Sequence, residues 1–380
     1  MFKKIFDFIK YLYPGEDPVP LHAPRFCGNE KKYLGECIDS SYVSYVGSFV
    51  TRFEKEIADF TGAKHAIATV SGTAALHLAL LIADVRPGDE VITQPLTFVA
   101  TANAISYCQA QPVFVDVEPE TLGLDPEKLD DFLAKSCIVK EDGQCWHVAT
   151  GRRISACVPM HTFGHPVRID KIVEICNKFN ITVIEDAAEA LGSLFRCRHL
   201  GTFGKLGIFS FNGNKPVTTG GGGMIITDDD HFAERTRHLS TTAKIPHPFE
   251  FTHDYIGYNY RMPNINAAVG CAQIECLTRF LDNKRKTSQI YSDFFSDIGL
   301  PFFMEPPDAL SNYWLNAIQF KDRSERDLFL IHAQKAGIQA RPVWTLMNHL
   351  PMYRFSHYAS LETAEWLEDR LVNIPSSVRW

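Results

Sequence analysis

The sequence predicts an α/β protein: a large domain with a mainly parallel sheet sandwiched by helices, and a smaller C-terminal α/β domain. Three observations predict it. Apolar runs of strand length alternate with longer helical runs between Phe49 and Asp228, the pattern of repeated strand, helix, strand units. After Arg261 helical periodicity takes over. The chain has 380 residues, 45% of them hydrophobic, enough for two domains with a substantial core.

The N-terminal stretch MFKKIFDFIKYLYP starts with basic residues like an export signal, but Asp7 and Lys10 interrupt its apolar run and no small-residue cleavage site follows. It is expected to be an amphipathic helix that packs on protein, within an N-terminal extension of residues 1–20. VTRFEKEIADF sets Phe53, Ile57 and Phe60 on one face of a helix from Phe49 to Phe60, stopped by Thr61-Gly62. A strand from His65 to Val70 leads into Ser71-Gly72-Thr73, which opens the helix AALHLALLIAD. That helix is apolar all round and therefore buried on more than one side. Arg86-Pro87-Gly88-Asp89 is a turn. A strand from Glu90 to Gln94, a helix from Phe98 to Tyr107 and a strand from Pro112 to Val117 follow. QCWHVATGRRI reads as a hairpin inserted before the strand Ile154–Met160. Next come a helix from Ile169 to Phe179, a strand from Thr182 to Glu185, and a block of strand, loop and strand from Phe203 to Asp228. Beyond Arg261 the pattern gives a long helix through Leu281, another from Arg285, and a mixed tail with NAIQF as its clearest strand. The large domain is thus expected over residues 21–260 and the small one over 261–380.

Composition excludes several classes. The net charge is −7, so no global field draws nucleic acid, and an anionic ligand must be held locally. No run of eighteen uncharged apolar residues occurs, so no membrane span is expected. The ten cysteines form no C-x-x-C pair and no Cys/His cluster at zinc spacing, which leaves reduced thiols in a cytoplasmic protein without a metal site.

Four constellations carry possible chemistry. Ser71-Gly72-Thr73 at a helix start is either an ordinary N-cap or a phosphate cradle. Ile184-Glu185-Asp186-Ala187-Ala188-Glu189 stands at the C-terminal end of a parallel strand, where open α/β sheets place ligands; it is also a normal acidic helix start. Ser210-Phe211-Asn212-Gly213-Asn214-Lys215, followed by a run of four glycines from Gly220, sets a lysine on a loop beside buried strands. Desolvated there, its amine becomes available for a Schiff base; on an open surface it is inert. Neither a P-loop nor a dinucleotide fingerprint is present. Gly257-Tyr258-Asn259-Tyr260-Arg261-Met262 is a polar aromatic turn or a packed hinge.

Taken together and in order, SGTAALHLAL, PGDEVITQPLTFVATANAI, VFVDVEPETLGLD, HTFGHPVRID, IEDAAEALGS, GKLGIFSFNGNKPVTTGGGGMI and GYNYRM resemble the sugar aminotransferases of the DegT/StrS family, from about Ala23 to the C-terminus. The resemblance implies a pyridoxal 5′-phosphate (PLP) enzyme of the aspartate-aminotransferase fold, fold type I. It implies that Lys215 bonds the cofactor aldehyde and then shuttles protons, and that Asp186 pairs with the ring nitrogen, whose charge makes the ring an electron sink. It sets Glu189 near the 3′-oxygen, at a position where the family has Gln, His or Glu. Phe98 would stack on the ring, and Gly72, Thr73 and Ser210 would hold the phosphate. Asn259 would reach the phosphate of the neighbouring subunit's cofactor, which implies a homodimer with shared sites. His161 and Arg261 fall at substrate-side or interface positions and serve equally well as packing residues.

The implied reaction moves an amino group from glutamate through PLP to the keto carbon, C4, of a nucleotide-linked 4-keto-6-deoxy sugar for surface-glycan biosynthesis. HTFGHP, EDAAEALGS and SFNGNKPVTTGGGG resemble most the branch acting on UDP-4-keto-6-deoxy-N-acetylhexosamines; GDP- or dTDP-linked keto sugars are the alternatives. Relatives with His in place of the lysine dehydrate at C3, which Lys215 argues against. A non-catalytic sensor or assembly protein on this fold has no physical need for Lys215, Asp186, Ser210 and Asn259 together.

Overall fold

The computed structural model describes residues 1–379. Helix α1 (Phe2–Leu12) precedes α2 (Glu30–Ser40) and α3 (Ser48–Thr61). Then come β1 (His65–Thr69), α4 (Gly72–Ile82), β2 (Glu90–Thr93), α5 (Val99–Tyr107), β3 (Gln111–Phe114) and α6 (Pro126–Ser136). The hairpin β4 (Cys137–Val139) and β5 (Cys145–His147) leads to β6 (Arg153–Val158), α7 (Ile169–Lys178) and β7 (Thr182–Asp186). A short pair, β8 (Leu194–Phe195) and β9 (Arg198–His199), precedes β10 (Leu206–Ser210) and β11 (Gly223–Thr227). After α8 (Asp230–Ser240), the hairpin β12 (Lys244–Ile245) and β13 (Thr252–His253) leads to α9 (Asn264–Ile274) and α10 (Leu277–Asp297). The tail holds β14 (Ala309–Leu310), β15 (Asn316–Gln319), α11 (Arg323–Lys335), β16 (Arg341–Pro342), α12 (Glu362–Glu368) and β17 (Leu371–Ile374).

The main sheet runs β1-β11-β10-β7-β6-β2-β3. Only β11 opposes its neighbours; β10, β7, β6, β2 and β3 pair in parallel. The inserted hairpin sets Cys137 opposite His147 and joins β6 through β5. Alternate residues of each strand enter opposite cores, as a period of two requires. Val183 and Phe209 lie with Phe53 and Ile57 of α3, whereas Ile184 and Ile208 lie with Leu76 and Leu80 of α4. Because both faces are covered, the strands are apolar throughout, and their C-terminal ends are left to carry polar groups.

The second unit is the antiparallel sheet β15-β17-β16, covered by α10 and α11. Helix α1 packs here, as an amphipathic helix should: Ile5, Phe6, Ile9 and Leu12 are buried with Tyr291, Phe295 and Phe329. Phe8 stacks on Phe294 with ring centroids 3.8 Å apart. Each fully buried side chain of this kind is worth about 1.5–3 kcal/mol relative to exposure, so this face holds α1 on its own chain.

Two boundaries differ from the sequence reading. The helix expected to end at Leu281 ends at Ile274, and α10 runs unbroken from Leu277 to Asp297. The stop is tertiary: Glu275 is tied by Asn29, Tyr33 and Arg52, while residues 282–284 contain no helix breaker. The change of pattern at Arg261 also precedes the change of core, since α9 still buries Ala267, Ala268 and Cys271 in the large unit.

Candidate active site

The ends of β1, β7 and β10 converge on a cavity of about 340 Å³ that holds Lys215, Glu189 and Asp186 together. Lys215 lies on the loop after β10, its backbone N–H donating to the carbonyl of Asn212 at 3.0 Å. Its Nζ lies 3.1 Å from Glu189 Oε1 and 3.8 Å from the centroid of the Trp314 ring. The other oxygen of Glu189, Oε2, accepts the backbone N–H of Phe163 at 2.9 Å. Phe163 has φ 58°, a left-handed conformation rare outside glycine, and the segment HTFGHP is therefore shaped to aim an N–H at this carboxylate. Burial pushes the Glu189 carboxyl up to about 7, against the opposing pull of Lys215 and the Phe163 N–H.

Asp186, at the end of β7, is 3% exposed. Its Oδ2 accepts the hydroxyl of Thr101 at 2.7 Å and its Oδ1 the N–H of Ala188 at 3.2 Å. Burial raises its pKa, and the Thr101 and Ala188 bonds oppose the rise. Among the described residues no cation forms an ion pair with it. A buried carboxylate of this kind on a cavity wall calls for a cationic ligand, and a protonated ring nitrogen is one.

An anion cradle lies in the same cavity. Ser71 caps α4, its hydroxyl accepting the N–H of Ala74 at 3.1 Å. The N–H groups of Gly72 and Thr73, in the first turn, have no helical partner and stand at the positive end of the helix. The cradle depends on close approach. A Cβ on Gly72 would lie 2.9 Å from Cβ of Ser210, and one on Gly223 would lie 2.4 Å from the carbonyl oxygen of Ser71. Glycine therefore lets β10, β11 and the helix start meet with Ser210 facing the cradle. Phe98, half exposed, stands at the cavity wall with its ring edge-on to Trp344 at 6.3 Å. A lysine, a cation-seeking carboxylate, a helix start for phosphate and an aromatic wall together fit PLP.

Three of the residues singled out from the sequence lie elsewhere. His161 does not line the cavity. It is fully buried, with Nε2 3.0 Å from Glu185 Oε2 and Nδ1 accepting the N–H of Val167 at 3.3 Å. Those partners fix the orientation of the ring, with Nε2 toward Glu185 and Nδ1 toward Val167. Arg261 is also a structural group: its Nη1 donates to Glu54 Oε1 at 2.7 Å and to the carbonyl of Ala68. Arg237 shares Glu54, so the guanidinium ties β1 to α3 through its Nη1. Asn259 is exposed, bridged to Thr241, outside this chain's cavity.

Glu185 also has a structural task. It accepts the N–H groups of Gly201, Phe203 and Gly204 at 2.6–2.8 Å, which accounts for the turn GTFG. Sequence reasoning missed Thr101, Asn312, Trp314 and Trp344. The last three come from the C-terminal part of the chain, where the only signal was two tryptophans beside otherwise ordinary strand patterns.

The fold and the cavity fit an enzyme with an aldehyde cofactor: the lysine suits its aldehyde, the carboxylate its ring nitrogen and the helix start its phosphate. Comparison with known proteins gives the family. The chain belongs to the DegT/DnrJ/EryC1/StrS aminotransferase family, whose model matches residues 26–379, and like that family it is PLP-dependent. It is 36% identical over 358 residues to the GDP-perosamine synthase of Escherichia coli O157:H7, covering 94% of this chain and 93% of that protein. It is 37% identical over 363 residues to the GDP-perosamine synthase of Caulobacter vibrioides, with 94% and 93% covered. Among solved structures it is similar to DesI in the presence of its TDP-sugar product, with a TM-score of 0.81 at 27% identity, covering 97% of this chain and 91% of that one. No helix among the described residues is long and apolar enough to cross a membrane.

Proposed function

We propose that the protein transfers an amino group from glutamate to the C4 keto carbon of a nucleotide-linked 4-keto-6-deoxy sugar for surface-glycan biosynthesis. The observation that carries this reading is the meeting of Lys215, Glu189 and Asp186 in one cavity beside the start of α4. PLP supplies the carbon that carries the amino group and a ring that draws off electrons. The chain supplies the rest. Asp186 keeps a proton on the ring nitrogen. Gly72, Thr73 and Ser210 bind the phosphate, and Phe98 covers one ring face. Lys215 Nζ moves a proton between the cofactor carbon and C4 of the sugar, and its delivery from one side fixes the amine's stereochemistry. Glu189 holds Lys215 in reach and, with a carboxyl that titrates near neutrality, exchanges a proton with it.

The variant motifs HTFGHP and SFNGNKPVTTGGGG support a UDP-linked N-acetylated sugar. A GDP-linked 4-keto-6-deoxymannose is the second reading, favoured by the perosamine synthases at 36% and 37% identity. Purified protein incubated with glutamate and UDP-, GDP- or dTDP-linked 4-keto sugars separates them, with products read by mass and NMR. Conversion of the N-acetylated UDP sugar supports the first reading and conversion of the GDP sugar the second; turnover of none overturns both.

The same reading includes a cytoplasmic homodimer in which Asn259 completes the partner's phosphate site. Beside it, on the β12–β13 hairpin and the segment that follows, Phe249, Phe251 and Ile256 are 88%, 81% and 79% exposed, an apolar surface of the kind a second subunit covers. A monomer at working concentration, measured by sedimentation, would contradict the dimer.

A further inference from the structure

Trp314 joins the two units at the reactive lysine. Its indole N–H donates to the carbonyl of Asn214 at 2.7 Å. Its backbone N–H donates to Asn312 Oδ1 at 2.8 Å, and its carbonyl accepts Lys284 Nζ at 3.2 Å. The indole is therefore held at both ends, with its face 3.8 Å from Lys215 Nζ. Asn312 completes the arrangement by donating to the carbonyls of Glu189 and Leu191 at 2.8 and 2.9 Å. One short segment of the small unit thus holds the Trp314 ring and the backbone of Glu189, the two residues whose side chains are the partners of Nζ. A core position there needs only apolar bulk, which Leu315 and Leu346 provide beside it; an aromatic face over an amine does something more.

We propose that Trp314 is a positioning residue that receives Lys215 as a free ammonium whenever the lysine is not joined to the cofactor, and so sets the balance between the lysine-linked and aminated forms of the enzyme. Amino transfer requires Lys215 to leave and return in every cycle. As a C–N bond to the donor nitrogen forms, the C–N bond to Nζ breaks, and Nζ leaves as an amine that takes up one proton. Its resting place is the one seen here, between the Glu189 carboxylate and the indole face, whose quadrupole attracts a cation most strongly where water is excluded. Once linked, Nζ is no longer an ammonium, any charge it carries is spread into the conjugated ring, and that attraction is weakened. The inference rests on the cofactor assignment and is independent of the donor and the sugar.

The test is a ratio of affinities. Cofactor-free protein is titrated with PLP and, separately, with pyridoxamine 5′-phosphate, which leaves Lys215 free. The ratio of the two Kd values, pyridoxamine form over aldehyde form, is compared among wild type, Trp314→Leu and Trp314→Phe. Leucine keeps an apolar side chain without the π face; phenylalanine keeps the face without the N–H to Asn214. The ratio is expected to rise about three- to tenfold in Trp314→Leu and to stay within about twofold of wild type in Trp314→Phe. An unchanged ratio in Trp314→Leu, including a parallel loss of both affinities through general damage, overturns the proposal, as does an equal rise in both variants. If Trp314→Leu does not fold, Trp314→Met is judged by the same criteria. Failure of the wild type to bind PLP overturns the cofactor assignment and this proposal with it.

Discussion

Two buried lysines lie on either side of Trp314, and only one is placed to react. Lys284, on α10, is 1% exposed and donates to the carbonyls of Trp314 and Ser376 at 3.2 and 2.6 Å. Burial pulls its pKa down to about 7, and among the described residues no carboxylate pairs with it. Lys215 faces the cavity, with Glu189 at 3.1 Å and room for a ligand. Burial and a depressed pKa are common marks of a functional amine, and here they pick out Lys284. What separates the two is the surroundings: two carbonyls suit Lys284 to a strut, whereas a carboxylate, an aromatic face and an open cavity suit Lys215 to the reactive role proposed for it.

The comparison breaks most visibly on activity. Lys215→Ala is expected to lose at least about 10²–10⁴-fold in turnover while melting as wild type does; Lys284→Met is expected to keep the cofactor's visible band. If Lys284→Met loses the band and Lys215→Ala keeps it, the roles are reversed. Next in size is Asp186→Asn, which removes the carboxylate proposed to face the ring nitrogen and is expected to lower kcat by about 10²–10³-fold with little change in KM. A change confined to KM would assign Asp186 to substrate binding.

A stability measurement sharpens the contrast from the other side. The folded pKa of Lys284, about 7, lies below its ordinary value of 10.5, so the unfolded chain binds more protons between those values and stability rises with pH across that window. Between pH 7 and 9 the wild type is expected to gain about 2 kcal/mol from this lysine that Lys284→Met does not gain. Urea unfolding at both pH values reads the difference, and equal pH slopes would show that Lys284 is not buried as a strut. The smallest effect is expected at Arg261. Arg261→Met leaves Glu54 short of one charged partner and should cost about 1–2 kcal/mol of stability, with KM for the sugar unchanged; a raised KM would restore Arg261 to the substrate side.

Local signals were readable from the sequence because they are local in space as well. The helix over Phe53, Ile57 and Phe60 and the apolar strands follow periodicity that burial preserves. Gly72, Thr73, Asp186, Glu189, Ser210 and Lys215 sit where strands end, and a parallel sheet brings such ends together whatever its loops do. The rest depends on distant partners. Arg261 is claimed by Glu54, 207 residues away, and the end of α9 is set by groups on α2 and α3. Trp314 reaches Lys215 from another unit of the chain, so no spacing in the sequence could have joined them.

The most direct test maps the attachment of the cofactor. PLP-loaded protein is reduced with borohydride, digested, and its peptides weighed. The pyridoxyl phosphate group should be found on the peptide that carries Lys215 and be absent from the one that carries Lys284. A label on Lys284, or recovery of all the cofactor unattached, would contradict the account.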